Sequence, residues 1–139
     1  MNHEDHQGHQ GSRSRRDDLD MVAREIVDAG LGVHRALGPG LLESVYEACL
    51  DRELKARGLA VARQVVVPID YKGHRVEGGY RLDLLVADAV IVEVKAVDAL
   101  TRLHEAQLLT YLKLSSFRLG FLMNFNVPLF KEGVRRFAN

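Results

Sequence analysis

The sequence predicts an α/β fold in which a mixed sheet is flanked by helices. Two runs with apolar residues at helical spacing come first in the chain, and three stretches with period-two alternation follow. A further helical run then precedes a last apolar stretch. A helix between two strands predicts a crossover, so the order helix, helix, three strands, helix, strand indicates a mostly antiparallel meander with one crossover connection.

Most of the chain is predicted to form one domain. Residues 1–18 are polar and lack apolar periodicity, so we expect a disordered tail there. The remaining residues, 19–139, have the length of one compact domain with its own core. Hydrophobic residues make up 47% of the chain and charged residues 27%, which is typical of a globular protein.

The overall charge and cysteine content narrow the possible classes of protein. Lys and Arg together number 19, as do Asp and Glu, so any binding of nucleic acid must rely on a local basic patch. The single cysteine, Cys49, excludes an intramolecular disulfide and suits a reducing compartment. The sequence has neither a signal-peptide pattern nor a membrane-spanning run, so it predicts a cytoplasmic protein that does not bind membranes.

Two helices are predicted before the first strand. The first runs from Leu19 to Leu37, where apolar residues recur at helical spacing, and Gly38-Pro39-Gly40 breaks it. The second runs from Leu41 to about Arg57, and Gly58 ends it as a residue that favours positive φ.

The strands follow from the alternation pattern and the turn residues. Val61 to Tyr71 is a predicted strand with Lys72-Gly73 as its turn, and the next two strands lie within GGYRLDLLVADAVIVEVKAV. A helix is expected from Thr101 to Leu114, capped by Asp98 or Thr101, and a final central strand from 117 to 125. The tail from 130 to 137 could add a short edge strand.

Charged residues within the second and third strands need an explanation, and the register of these strands supplies one. A three-residue loop at 87–89 makes one face of the pair wholly apolar and brings Asp83 opposite Glu93 on the other face. A two-residue loop would put the two carboxylates on opposite faces, and a buried face selects strongly against such a slip. The predicted apolar pairs are Leu82 with Val94, Leu84 with Val92, and Val86 with Val90.

Two carboxylates held together suggest a metal site. Two carboxylates at short range repel each other, which raises the pKa of one of them. A bound cation removes this repulsion. Oxygen ligands of this kind suit Mg²⁺ or Mn²⁺. Lys95 shares the face of Glu93, so its ammonium can reach the same site. The alternative is a surface hairpin with a salt bridge between Glu93 and Lys95, which a motif this short does not exclude.

Two helices carry further polar side chains. His104, Gln107 and Tyr111 fall within an arc of roughly 60° on the third helix and could bond to phosphate or to the carboxylates. The alternative is a boundary stripe of satisfied polar groups. Glu43 lies in the first turn of the second helix, where the helix dipole favours a carboxylate, and that structural role would suffice to explain it.

These residues carry a resemblance to a known family. Gly40, Glu43 and Tyr46 fit the pattern of the GxxExxY proteins, a family placed in the PD-(D/E)XK nuclease superfamily. The similarity runs from about Ile26 through Phe125 and includes YRLDLLV, VIVEVKAV, HEAQLLTYLK and LMNF. It implies a restriction-endonuclease-like αβββαβ core.

The resemblance also implies roles for individual residues. Those that look like catalytic motif residues of the superfamily, including the QxxxY element and the helical acid of its RecB-like branch, are Asp83, Glu93, Lys95, Gln107, Tyr111 and Glu43. The implied metal ligands are Asp83, Glu93, Glu43 and the carbonyl of Val94.

The function that follows is that of a nuclease dependent on Mg²⁺ or Mn²⁺, with a nucleic acid, DNA in preference to RNA, as its partner. Side chains available for nucleic-acid contacts are Arg81, Arg102, His104 and Lys113. The alternative is a catalytically silent module of the same fold that binds nucleic acid or a protein. The apolar C-terminal strand could also pair at an edge to form a homodimer.

Overall fold

The computed structural model of the protein describes the backbone of residues 3–139 and the side chains of residues 16–139. The predicted order of helices and strands is confirmed. The elements are α1 (His3–Leu37), α2 (Glu43–Ala56), β1 (Val61–Tyr71), β2 (His74–Val86), β3 (Val90–Lys95), α3 (Arg102–Leu114), β4 (Leu119–Asn124), a 3-10 helix (Phe130–Gly133) and β5 (Val134–Ala138).

Helix α1 begins earlier than the sequence predicted. The prediction started this helix at Leu19 and assigned residues 1–18 to a disordered tail, whereas the helical backbone extends from His3. The part of α1 from Leu19 onwards packs against the core. Once this part has formed, each residue added at the N-terminal end contributes a hydrogen bond, so the helix can continue through polar residues. Residues 1 and 2 lie outside the described part of the chain. A domain boundary at Leu19, where packing against the core begins, stays a prediction.

The five strands form one mixed sheet in the order β1-β2-β3-β4-β5. Strand β4 pairs with β3 in parallel, and the other neighbouring strands are antiparallel. Helix α3 connects β3 to β4, so it is the predicted crossover. Strand β5 is the edge strand expected from the C-terminal tail. None of the described helices is long and apolar enough to cross a membrane.

Both predicted turns of the meander are present. Lys72 and Gly73 have φ of 50° and 81°, which suits the two-residue turn between β1 and β2. The pairing of Val86 with Val90 leaves residues 87–89 as the three-residue loop between β2 and β3. The register that the apolar pattern predicts for these strands is therefore the observed one near the loop.

Each face of the sheet is covered by its own helices. Helices α1 and α2 cover one face, where the core includes Ile26, Tyr46, Leu50, Val92 and Phe121. Helix α3 covers the other face, where the core includes Leu82, Ile91, Leu108, Leu112 and Leu122. Strands β3 and β4 are buried on both sides, which accounts for their nearly continuous apolar sequences.

Strand β2 changes the layer that its side chains face at Asp83. Leu84 and Val86 pack in the α1/α2 layer, whereas Tyr80 and Leu82 pack in the α3 layer. Regular alternation would put Leu82 and Leu84 on the same face. The prediction of one wholly apolar face is therefore wrong at Leu82.

Strand β1 changes layer at the same level. Val61 packs in the α1/α2 layer and Val65 in the α3 layer, and between them Gln64 has a φ of 53° in the left-handed region. The β1–β2 ladder runs through the residues on either side but gives neither Gln64 nor Asp83 a partner. Because a left-handed residue breaks the alternation of side chains, both strands cross from one layer to the other together.

Tyr46 fixes the connection between α1 and α2. Its ring is fully buried and stacks on Phe125 at 4.7 Å between centroids. Its hydroxyl donates to the carbonyl of Gly38 and accepts from the amide of Leu41 at 3.1 Å. Two backbone groups of the loop therefore depend on one phenol, which holds the start of α2 and the nearby Glu43.

We predict that Tyr46→Phe lowers the free energy of unfolding by about 1–3 kcal/mol, because it leaves two backbone groups without their partner. Urea denaturation measures the change. Tyr71→Phe is the matched control: Tyr71 is exposed, and we expect a change within about 0.5 kcal/mol. Equal stabilities for the two variants would contradict a structural role for the Tyr46 hydroxyl.

Candidate active site

Asp83 and Glu93 lie together where β2 and β3 separate. The last ladder pair before them is Leu84 with Val92. Beyond it the amide of Asp83 donates to the Glu93 carboxylate at 2.9 Å, and the amide of Val94 donates to the Asp83 carboxylate at 2.8 Å. Each carboxylate thus takes the place of a backbone carbonyl from the opposite strand.

Burial raises the pKa values of both carboxyl groups. Glu93 is 5% exposed, and burial, followed by repulsion from Asp83, raises its pKa from 4.5 to about 8. Asp83 is half-buried, and its pKa is also raised, first by burial, while the hydrogen bond from the Val94 amide acts in the opposite direction. These carboxyl groups therefore do not belong to a solvated surface hairpin.

Lys95 supplies positive charge without a direct ion pair. The side chain is half-buried, and its attraction lowers the pKa values of Glu43, Asp83 and Glu93. Between residues 16 and 139, no salt bridge within 4.0 Å involves Lys95. The alternative of a Glu93–Lys95 salt bridge is thus not what holds this region together.

The oxygen atoms around Asp83 and Glu93 fit a hard divalent cation. Each of these carboxylates accepts one backbone hydrogen bond and retains further lone pairs. The amide of Val94 points towards Asp83 on β2. Along a strand the carbonyl of a residue points to the same side as its amide, so the carbonyl of Val94 also faces β2 and offers a third oxygen ligand. Among the described side chains, no group of three or more His, Cys, Asp or Glu has metal-site spacing. A Mg²⁺ site does not require such a group, because Mg²⁺ commonly takes only one or two carboxylates and keeps several waters.

Glu43 lies at the start of α2, in the first turn as predicted. Its side chain is largely exposed. Its pKa is raised, first by partial desolvation and then by the charges of Asp83 and Glu47, while Lys95 lowers it. Glu43, on the adjacent helix, is therefore close enough to Asp83 and Lys95 for their charges to change its pKa.

Glu47 is a carboxylate of this region that the sequence analysis missed. It is 6% exposed, its charge raises the pKa values of Asp83 and Glu93, and it forms a salt bridge with Arg63 at 3.1 Å. The spacing of four residues from Glu43 was the signal, because positions i and i+4 share one face of a helix.

The polar stripe of α3 divides between two roles. Tyr111 faces the acids: it stacks on Tyr80 at 4.4 Å, and its pKa is raised first by burial and then by the charge of Glu93. Gln107 is exposed, and its side chain acts to lower the pKa of Tyr111. His104 instead caps the helix, accepting from the amide of Thr101 at 3.1 Å through Nδ1. Of the two predicted caps, Thr101 is the one observed.

The predicted nucleic-acid contacts do not form one cluster. Arg81, Arg102 and Lys113 are exposed, and none of them forms a salt bridge with the side chains that the structure describes. Arg102 is in the first turn of α3 and Lys113 in the last, about 16 Å apart along the helix axis. They could therefore contact different phosphates of a chain, but not the same one.

Comparison with known proteins supports a family assignment. A family model described as the PD-(D/E)XK nuclease superfamily matches residues 20–137, which is most of the chain. A search of curated proteins and a search of solved structures returned no match.

We predict that Glu93→Gln changes the pH dependence of stability in EDTA. The raised pKa means that Glu93 contributes stability below its ordinary pKa of 4.5, and that this contribution is lost as the pH rises towards about 8. The neutral variant avoids the loss, so at pH 8 we expect it to be more stable than the wild type by roughly 1–3 kcal/mol. Denaturant unfolding at several pH values between 4 and 9 measures this.

The control for this experiment is Glu132→Gln, which changes an exposed glutamate of the 3-10 helix. It should follow the wild-type pH profile. Parallel profiles for wild type and Glu93→Gln would show that Glu93 is not desolvated in solution.

Proposed function

The chain belongs to the PD-(D/E)XK nuclease superfamily, and from this membership and the geometry of the acids we propose that it is a metal-dependent nuclease. Its reaction would be hydrolysis of a phosphodiester bond in a nucleic-acid backbone. The observation that carries the proposal is the pairing of the half-buried Asp83 with the buried Glu93, beside a Lys95 ammonium that forms no salt bridge with the described side chains. Within the superfamily we assign the chain to the GxxExxY proteins, because Gly40, Glu43 and Tyr46 fit their pattern. We assign it to the RecB-like branch because Gln107 and Tyr111 resemble its QxxxY element and Glu43 its helical acid.

The proposed cofactor is Mg²⁺ or Mn²⁺. Asp83, Glu93 and the carbonyl of Val94 would hold it, and Glu43 would bind a second ion or an outer-shell water. The bound ion would polarise the scissile phosphate and stabilise the charge of the transition state. Two repelling, desolvated carboxylates support this choice, because a cation relieves both the repulsion and the shortage of solvent.

The chain itself supplies the groups that handle the water and the phosphate. Lys95 would orient the attacking water and stabilise the negative charge that forms as this water loses its proton to solvent, since its ammonium is not held in a salt bridge among the described residues. Tyr111 and Gln107 would donate hydrogen bonds to a phosphate oxygen or position the carboxylates from α3. His104 is a weaker candidate because Thr101 already holds its Nδ1.

A second candidate function is that of a catalytically silent module that binds nucleic acid or a protein. The observation in its favour is that Asp83 and Glu93 already accept backbone amides, which is a structural role in its own right. The apolar C-terminal strand predicted to pair at an edge is β4, which lies between β3 and β5 and has no free edge. A homodimer would instead form through the edge of β5, and it is compatible with either function.

We predict cleavage of at least one of three substrates, single-stranded DNA, duplex DNA or RNA, with Mg²⁺ or Mn²⁺ and none with EDTA. Asp83→Asn and Lys95→Ala should each reduce the rate by about 100-fold or more, because each removes a group aimed at the reacting centre. Lys131→Ala, on the 3-10 helix, should cleave at the wild-type rate.

Two results would count against this nuclease. Equal cleavage by all variants would identify a contaminating enzyme. Absence of cleavage, together with no rise in melting temperature when Mn²⁺ is added, would favour the silent module.

We also predict that Arg102→Gln weakens nucleic-acid binding and makes it less dependent on salt. Losing one phosphate contact should reduce the slope of log K against log salt by about 0.7–0.9. Fluorescence anisotropy in EDTA at several salt concentrations measures the slope without cleavage. The control is Arg118→Gln, because Arg118 directly precedes β4, and the first residue of β4 pairs at the opposite end of β3 from Lys95. An unchanged slope for Arg102→Gln would remove Arg102 from the binding surface.

A further inference from the structure

Gln64 holds a backbone conformation that glutamine rarely adopts. Its φ of 53° lies in the left-handed region, in the middle of β1, where a side chain other than glycine costs of the order of 1 kcal/mol or more. The residue is exposed, so apolar burial does not compensate for this strain. The side-chain contacts that offset this strain are the hydrogen bonds of its amide.

The Gln64 amide is held by a carboxylate of α2 and lies next to the level of Asp83 on β2. Its Nε2 donates to both oxygens of Glu47, at 2.9 and 3.0 Å. Asp83 lies opposite Gln64 at the gap in the β1–β2 ladder, and the Gln64 side chain acts to lower the pKa of the Asp83 carboxyl group. Gln64 thus lies between a fixed, buried acid and a proposed metal ligand.

The anchor of this amide is rigid. Glu47 is 6% exposed and receives Arg63 through Nε at 3.2 Å and Nη2 at 3.1 Å. Arg63 precedes Gln64 on β1, so one strand supplies both donors to the same carboxylate. Glu47 is held by Arg63 and in turn holds the Gln64 amide. The amide therefore loses little further conformational freedom when it orients Asp83.

The backbone arrangement puts Gln64 opposite Asp83. Both residues lack a partner in the β1–β2 ladder, although their neighbours on each side are paired. The gap lets the Asp83 side chain lie towards β3, where it accepts the Val94 amide. We infer that Gln64 is a positioning residue: its left-handed backbone and its amide, anchored by Glu47, fix the Asp83 carboxylate for binding a divalent cation. This inference rests on the proposed metal-dependent function.

A pair of variants separates the amide from the backbone. Gln64→Met keeps the length of the side chain and the backbone strain but removes the amide. Gln64→Gly removes the amide and relieves the strain, so its melting temperature should equal or exceed that of Gln64→Met. If the amide positions Asp83, both variants should bind Mn²⁺ about 10- to 100-fold more weakly than the wild type. Calorimetric titration of the full chain with Mn²⁺, without nucleic acid, measures this.

A third variant tests the anchor. Glu47→Gln should weaken Mn²⁺ binding in the same direction, and the double variant Glu47→Gln with Gln64→Met should lose less than the sum of the two single effects, since both act through Asp83. Additive losses would show that Glu47 acts on the cation independently of Gln64. Nucleic-acid affinity in EDTA should be unchanged in Gln64→Met, because positioning a metal ligand does not alter the contacts with the substrate.

The outcomes distinguish this inference from the proposed function. A wild-type protein that binds Mn²⁺ while Gln64→Met binds it equally well overturns the positioning role and leaves the nuclease proposal intact. Weak Mn²⁺ binding in Gln64→Met with wild-type affinity in Gln64→Gly would show that the site needs the left-handed backbone but not the amide, and would overturn the role of the amide. A wild-type protein that binds no Mn²⁺ overturns both proposals.

Discussion

The candidate site depends on the interruption of β2 at Asp83, where the strand loses its ladder partners on both sides. Towards β1 the opposite residue is the left-handed Gln64, and towards β3 the ladder ends one position earlier. A gap inside a sheet leaves amides without acceptors, which is costly when they are buried. The carboxylates of Asp83 and Glu93 accept two of these amides. The same acids therefore complete the sheet and form the candidate metal site.

The interruption also explains why the acids are desolvated. At this level β1 and β2 pass from the layer beneath α1 and α2 to the layer beneath α3. The acids lie at the junction of two hydrophobic cores, with Tyr111 stacked on Tyr80 nearby. Water has little access to Glu93, so its pKa rises to about 8. A hairpin with the same sequence on an open surface would keep both carboxyl groups near their ordinary pKa values.

The balance of charge around the junction favours a cation. Arg63 and Lys95 are the basic side chains beside these acids, and Arg63 is already paired with Glu47. The other, Lys95, attracts the remaining acids from a distance greater than a salt bridge. Low solvent exposure strengthens the repulsion between like charges as well as the attraction to a metal ion. The groups that set this balance are Glu43, Glu47, Asp83, Glu93, Lys95 and Arg63.

The sequence by itself determined the order of the elements, the limits of β1, the three-residue loop and the meeting of Asp83 with Glu93. These follow from local periodicity and turn residues, which act within one strand or one hairpin. Only the tertiary structure decided that Leu82 faces α3 and that Glu47 joins the acids. Both occur at the level of the left-handed Gln64, whose amide makes the contact between β1 and Glu47 of α2. Alternation within a strand carries no information about such a contact, because the residues that make it are distant in the chain.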